Sequence, residues 1–251
     1  MDERTTYDLL LVGWLVLAGA VFVALMRTTA PYGRFARPGW GPVLSARLGW
    51  LLMESPAVVM VVLLFALGRH RSAADWTFLV VWNVHYGYRT FIYSQRLRSS
   101  RSMPMVVVAS GMFFNVVNGY LQGRYLFALG PSRGAEWLTG PAFLAGLGLF
   151  LGGLCVHVQA DSRLRSFRRP GERHYDLPRG GLFNYVSCPN YLGEMVEWAG
   201  WALLTWSPAG VAFAVWTAAN LLPRALACHR WYRSTFPDYP PRRRAVFPGI
   251  L

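Results

Sequence analysis

The sequence predicts an all-α integral membrane protein with seven transmembrane helices, and three observations carry that prediction. More than half of the 251 residues are hydrophobic (54%), and the mean hydropathy is positive. The apolar residues gather in separate runs close to the ~20 residues that a bilayer-crossing helix needs. The arginines concentrate in every second connection between those runs, as a positive-inside topology requires.

The first run, Leu9–Met26, is uncharged and is preceded by Asp2, Glu3 and Asp8. It has no basic segment before it and no small-residue cleavage site, so it reads as a first span rather than a signal peptide. The Pro/Gly-rich stretch from Pro31 to Pro42 reads as a loop of irregular backbone. Six further runs follow near Leu48–Leu67, Trp76–Tyr93, Met103–Leu129, Trp137–Val158, Tyr191–Trp206 and Ala209–Ala227. Several contain polar residues, which places those faces against each other rather than against lipid.

Charge orients the bundle. The connection after the first run carries Arg27, Arg34, Arg37 and Arg47 with no acid. The one after the third carries Arg96, Arg98 and Arg101, and the C-terminal tail carries Arg230, Arg233, Arg242, Arg243 and Arg244. The alternate connections are poor in arginine. An odd number of spans, N-terminus outside and C-terminus cytoplasmic, satisfies this bias. No repeat or long linker divides the chain, so residues 1–251 form a single domain.

The formal net charge is +13, and all 25 basic residues are arginine. Their position in short loops between apolar spans excludes nucleic acid and leaves membrane lipid, topology and an anionic ligand. Cys155, Cys188 and Cys228 are far apart and form no metal or disulfide pattern, so no metal is expected.

The stretch Asp161–Trp198 is the densest in charge. Arg163, Arg165, Arg168, Arg169, Arg173 and Arg179 lead into an apolar helix that carries Glu194 and Glu197. Such charge beside a membrane helix points to a large, polar, anionic ligand. A nicotinamide dinucleotide suits it: arginine forks match phosphates, and carboxylates and asparagine match hydroxyls and a carboxamide. Gly146-x-Gly148 lacks a third glycine at Leu151 and lies in a span, so it reads as helix packing rather than a dinucleotide fingerprint. Gly180–Gly181 reads as a tight turn that lets backbone approach a ligand.

Inside the spans, Glu54 lies ~9 Å and Tyr86 ~15 Å from the cytoplasmic ends of adjacent antiparallel helices. They can meet in the cytoplasmic half. A protonated glutamic acid beside a phenol offers two hydrogen-bond donors, able to polarise a carbonyl oxygen and stabilise an enolate. The alternative is an ion pair of Glu54 with Arg89 or His85 that locks two helices. Asn115 with Asn118, His157 with Asp161, Glu194 with Glu197, and Asn220 with Arg224 each fall about one turn apart. For the two asparagines, interhelical hydrogen bonding is the expectation; the other three pairs gather at the level of the arginine-rich loop.

At these residues the chain resembles the steroid 5α-reductase (3-oxo-5α-steroid 4-dehydrogenase) family, as a bacterial-type homologue. The matching pieces are MESPA at 53–57, HYGYRTFIYSQR at 85–96, NGYLQGRYL at 118–126, RRPGERHYDLPRGGLFNYVSCPNYLGEMVEW at 168–198 and HRWYRSTFPDYPPRRRAVFP at 229–248. The resemblance implies a seven-span enzyme that uses NADPH to reduce the C4–C5 double bond of a 3-oxo-Δ4 steroid. It implies that Glu54 and Tyr86 hold the 3-keto oxygen and that Asp161, Arg168, Tyr175, Asn190, Glu194, Arg224 and Tyr232 contact the coenzyme. Trp50, Tyr93 and His157 join the coenzyme site by weaker matches, and Phe114 lines the steroid pocket. The chain departs from the pattern at Met53, where Gln is usual, at Asp176, which displaces a basic residue and shifts phosphate contacts to Arg173 or Arg179, at His157, where some members have Asn, and at Cys228.

The expected partners are a steroid or other lipid enone and membrane lipid, with the protein acting as a monomer. The expected location is the inner membrane of a bacterium or the endoplasmic reticulum of a eukaryote, with the coenzyme site facing the cytoplasm. Two rival readings are a reductase of another lipid enone or enoyl thioester, and an S-adenosylmethionine-dependent membrane methyltransferase. The latter commonly has His before Pro-Asn-Tyr, where this chain has Cys188. A sterol-binding protein without chemistry is a third, disfavoured by the intact Glu54, Tyr86, Asn190 and Glu194.

Overall fold

Serines and prolines set the starts of most helices. The computed structural model describes residues 2–97, 102–167 and 176–251. Helix α1 runs Glu3–Arg27 from an Asp2 cap, and α2 runs Ala46–Leu67 from Ser45, whose hydroxyl accepts from Leu48 N at 3.3 Å. Helix α3, Ala73–Gly87, starts at a reciprocal box in which Asp75 N donates to Ser72 Oγ and Ser72 N donates to Asp75 Oδ2. It continues as a π-helix over Tyr88–Tyr93 and a last turn at Ser94–Arg96. Helix α4, Met105–Arg124, also continues as a π-helix, Tyr125–Leu129. Helices α5 (Pro141–Ser166), α6 (Pro189–Thr205) and α7 (Pro208–Thr235) each open on proline, which lacks the amide that a first turn leaves unpaired.

These seven helical stretches cover the seven apolar runs. Five of them (α1, α2, α4 with its π continuation, α5 and α7) are long and apolar enough to cross a membrane, and the chain is an integral membrane protein. The α-helical part of α3 has 15 residues and α6 has 17, and both carry buried ionisable groups. Helices α5 and α7 extend beyond their apolar runs, to Ser166 and Thr235, with arginines in the last turn of each.

Strands β1 (Val43–Ser45) and β2 (Ser102–Pro104) pair antiparallel, with Val43 opposite Pro104. The pair ties the start of α2 to the start of α4 and sets those helices side by side. Pro56 interrupts α2 and cannot donate to the carbonyl of Leu52; the Ser55 hydroxyl donates to that oxygen instead, at 3.2 Å. Helix α5 packs along α6, α6 on α7, and α7 on α1. A two-residue turn joins α6 to α7, with Trp206 in the left-handed region (φ 44°) and Ser207 Oγ accepting from Gly210 N.

The core is aromatic. Trp82, Trp198 and Trp201 are almost fully buried, and Phe213 packs 4.1 Å from Trp198, centroid to centroid. Their neighbourhood leaves few indole donors unmet: Trp82 donates to Ala57 O, Trp201 to Gln122 Oε1 and Trp216 to Trp14 O, all within 3.0 Å. In an apolar environment each such bond also avoids the cost of an unpaired donor.

Candidate active site

Helices α1 to α7 together enclose a cavity of about 790 Å³, within the range of ligand-binding clefts, ~300–1,000 Å³. Its walls differ along the bundle. Toward the α6–α7 turn they are apolar, with Trp14, Phe113, Phe114, Phe213 and Trp216. Toward the C-terminal end of α7 they carry Arg34, Asp161, Asn190, Glu194, Arg224 and Tyr232. Glu54 and Tyr86 also line it, as do Trp50, Tyr93 and His157. The described residues that the resemblance assigns to coenzyme, carbonyl and steroid thus all line one cavity. Arg168, Tyr175 and Arg173 lie outside the described residues.

Arg89, on the π-helical stretch, organises the polar side. Its Nη2 donates to Glu54 Oε1 at 3.2 Å, and its Nη1 lies 3.5 Å from His157 Nε2 and 3.9 Å from Asp161 Oδ2. Its guanidinium stacks over Trp50 at 4.5 Å and Tyr93 at 4.9 Å. The other carboxyl oxygen of Glu54 accepts from Asn115 Nδ2 at 3.3 Å, and the same amide donates to Met53 O at 2.7 Å. Both readings of Glu54 therefore have a basis in the geometry: it pairs with Arg89, and it borders the cavity. Asn115 bridges α4 to α2, while Asn118 Oδ1 accepts from Gln122 one turn along its own helix.

The ring of Tyr86 is held by Trp82 at 4.7 Å and Trp198 at 5.7 Å. The residue is buried (3% exposed), and its hydroxyl makes no hydrogen bond to any described residue. The sequence-based option of a Glu54–His85 pair is corrected here: His85 Nδ1 sits 2.7 Å from Glu197 Oε1, across α3 and α6. Glu197 and Glu194 share a face as expected, and both approach His157 Nδ1, at 3.7 and 3.6 Å. His157 Nε2 lies 3.3 Å from Asp161, which accepts from Asn190 Nδ2 at 3.1 Å. A buried polar network thus joins α2, α3, α5 and α6.

Arg224 and Tyr232 also hold the loop after α1. Arg224 stacks on Tyr32, donates to Tyr32 O at 3.1 Å and donates to Tyr191 Oη at 3.0 Å. Arg34 Nη2 donates to Tyr232 Oη at 2.8 Å, with its guanidinium over Trp231 and Tyr232. The sequence reading took Arg34 as a topology charge and did not single out Tyr32 or Tyr191; the aromatics flanking Gly33–Arg34 were the available signal. Segment 185–188, just before α6, is fixed by the C-terminal tail: Ser187 N donates to Arg244 O at 2.8 Å, and Ser187 Oγ meets Tyr239 Oη at 2.6 Å. Burial pushes the Tyr239 phenol up from its ordinary range.

The end of the arginine-rich stretch lies away from the cavity. Arg179 does not line the cavity; it forms an exposed ion pair with Asp238. Gly180 and Gly181 do form a turn with positive φ, 86° and 56°, but the group lying over them is the Arg163 guanidinium, and neither glycine lines the cavity. Gly146 packs against α6 as expected, whereas Gly148 faces open space. Among the described residues, no group of three or more His, Cys, Asp or Glu is placed to hold a metal ion.

The fold and the site define a helical membrane protein whose cavity is apolar at one end and rich in charge at the other. Comparison with known sequences narrows this. The family described as 3-oxo-5-alpha-steroid 4-dehydrogenase matches residues 101–251, and the chain belongs to that family. It is 41% identical over 255 residues to steroid 5-alpha-reductase DET2 of Gossypium hirsutum, covering 99% of each chain. It is 39% identical over 235 residues to human 3-oxo-5-alpha-steroid 4-dehydrogenase 1, covering 92% of this chain and 90% of the relative.

Proposed function

We propose that this protein reduces the C4–C5 double bond of a 3-oxo-Δ4 steroid to the 5α-dihydrosteroid, with NADPH as coenzyme. The observation that carries the reading is Tyr86: a buried phenol on the cavity that Glu54 also lines, without a protein hydrogen-bond partner among the described residues, the cavity being apolar at one end and charged at the other. A hydroxyl that borders the cavity without a protein partner is placed to donate to a ligand oxygen. Family membership supports the same reaction.

The donor set fits the coenzyme. Arg34 and Arg224 suit its phosphates, Asp161 and Glu194 its hydroxyls, and Asn190 its carboxamide; Trp50, Tyr93, His157 and Tyr232 complete that end, and the family resemblance adds Arg168 and Tyr175, which lie outside the described residues. Bound NADPH supplies the hydride for C5. Tyr86 donates to the 3-keto oxygen, and Glu54 is the second group assigned to that oxygen. Together they draw electron density from the enone and stabilise the enolate. Arg89 and Asn115 hold the Glu54 carboxyl in place for this, and Phe114 with its aromatic neighbours excludes water from the steroid.

We place all seven helices across the membrane, N-terminus outside and C-terminus cytoplasmic, on the arginine distribution. Helices α3 and α6 cross inside the bundle, where their charges pair with one another. The coenzyme then enters from the cytoplasm and the steroid from the bilayer, and the protein works as a monomer. The test is incubation of the detergent-purified protein with testosterone or progesterone and NADPH, followed by product analysis. A 5α-dihydro product is expected. Coenzyme oxidation with a different lipid enone alone, or methyl transfer from S-adenosylmethionine, would replace this reading with one of the rivals.

A further inference from the structure

Helix α4 meets α2 through Gly111, Gly119 and Gly123, which share one helix face. A β-carbon on Gly119 would lie 2.8 Å from Met60 Cβ, and one on Gly123 would lie 2.8 Å from Leu64 Cβ. Those neighbours are stem atoms fixed to the α2 backbone, so these two glycines serve helix packing. Gly111 differs. A β-carbon there would lie 2.2 Å from Met53 Cγ and 2.3 Å from Met53 Sδ, outer atoms of a flexible side chain. The Met53 backbone is pinned, because its carbonyl accepts from Asn115 Nδ2 at 2.7 Å. Only the thioether can yield. Both Met53 and Gly111 line the cavity, and Met53 directly precedes Glu54. With glycine at 111 the thioether lies back against α4. A side chain at 111 forces the thioether to move, and the cavity adjoins it.

We propose that Met53, seated in the notch left by Gly111, sets the width of the cavity beside Glu54 and selects among 3-oxo-Δ4 steroids by bulk at the ring that bears the carbonyl. The inference rests on the steroid reading of the cavity given above. Met53 offers no hydrogen-bonding group like those of Glu54 and Asn115 beside it, so discrimination at this point is by shape.

The test measures binding of tritiated testosterone to the full-length protein in detergent by equilibrium dialysis, with the oxidised coenzyme NADP⁺ present so that no turnover occurs. Gly111→Ala should weaken binding by about tenfold or more, the effect of overfilling a packed site. Met53→Ala in the same chain should return it to near the wild-type value. Met53→Ala alone should improve binding of a 4-methyl-3-oxo-Δ4 steroid relative to testosterone; this arm decides the matter if Gly111→Ala does not give monodisperse protein. Unchanged binding by Gly111→Ala, a loss that Met53→Ala does not relieve, or an unchanged preference in Met53→Ala overturns the inference. A wild-type protein that binds no steroid overturns the proposed function instead.

Discussion

The α5–α6 seam and the α2–α4 seam both rest on glycine, and they use it in opposite ways. In α5–α6, β-carbons on Gly146, Gly153, Gly193 and Gly200 would lie 2.4–2.5 Å from backbone nitrogens of Leu204, Glu197, His157 and Phe150. The two backbones touch, and neither can yield. In α2–α4 the same kind of notch receives side chains, Met53, Met60 and Leu64. The first seam sets His157 and Asp161 opposite Asn190, Glu194 and Glu197 at fixed spacing, as the proposed coenzyme site requires. The second borders the proposed carbonyl site and retains a movable wall. Rigidity and adjustability are thus divided between the two halves of one cavity.

This contrast can be broken by substitution. The largest effect is expected at the backbone contact: Gly193→Ala or Gly153→Ala should prevent recovery of monodisperse protein, read by size-exclusion in detergent. Next is Arg89→Met, which strands buried Glu54 beside a neutral side chain; about 3–5 kcal/mol of stability should be lost, read by thermal unfolding. Gly119→Ala, at the side-chain seam, should cost a smaller ~1–3 kcal/mol and leave the protein foldable. If it proved as damaging as Gly193→Ala, the distinction between the seams would be lost. The smallest effect is expected for Arg179→Ala. Its exposed pair with Asp238 should contribute about 0–1 kcal/mol, and coenzyme affinity should not change, since Arg179 is outside the cavity.

Much of this architecture was legible in the sequence because apolar runs and their flanks follow directly from the cost of burying charge. The helices lie where those runs lie. The tails of α5 and α7 were not legible, since Asp161–Ser166 and Cys228–Thr235 are charged helix beyond the hydropathy signal. The β1–β2 pair was hidden because three-residue strands carry no periodicity. In the site, pairs one helical turn apart could be read from spacing, as with His157 and Asp161. Partners from distant elements could not: His85 meets Glu197 across 112 positions, and Arg34 meets Tyr232 across 198. Of the four glycines in the α5–α6 seam, only Gly146 reads from sequence as helix packing.

The claim on which the rest depends is that Tyr86 and Glu54 act on the substrate carbonyl while the charged end holds coenzyme. The most direct measurement is single-turnover reduction of testosterone by Tyr86→Phe, with NADPH affinity measured in parallel and Glu54→Gln treated the same way. The account predicts a rate lower by about 10²–10³ with coenzyme affinity retained. Reduction by both variants at the wild-type rate would contradict it.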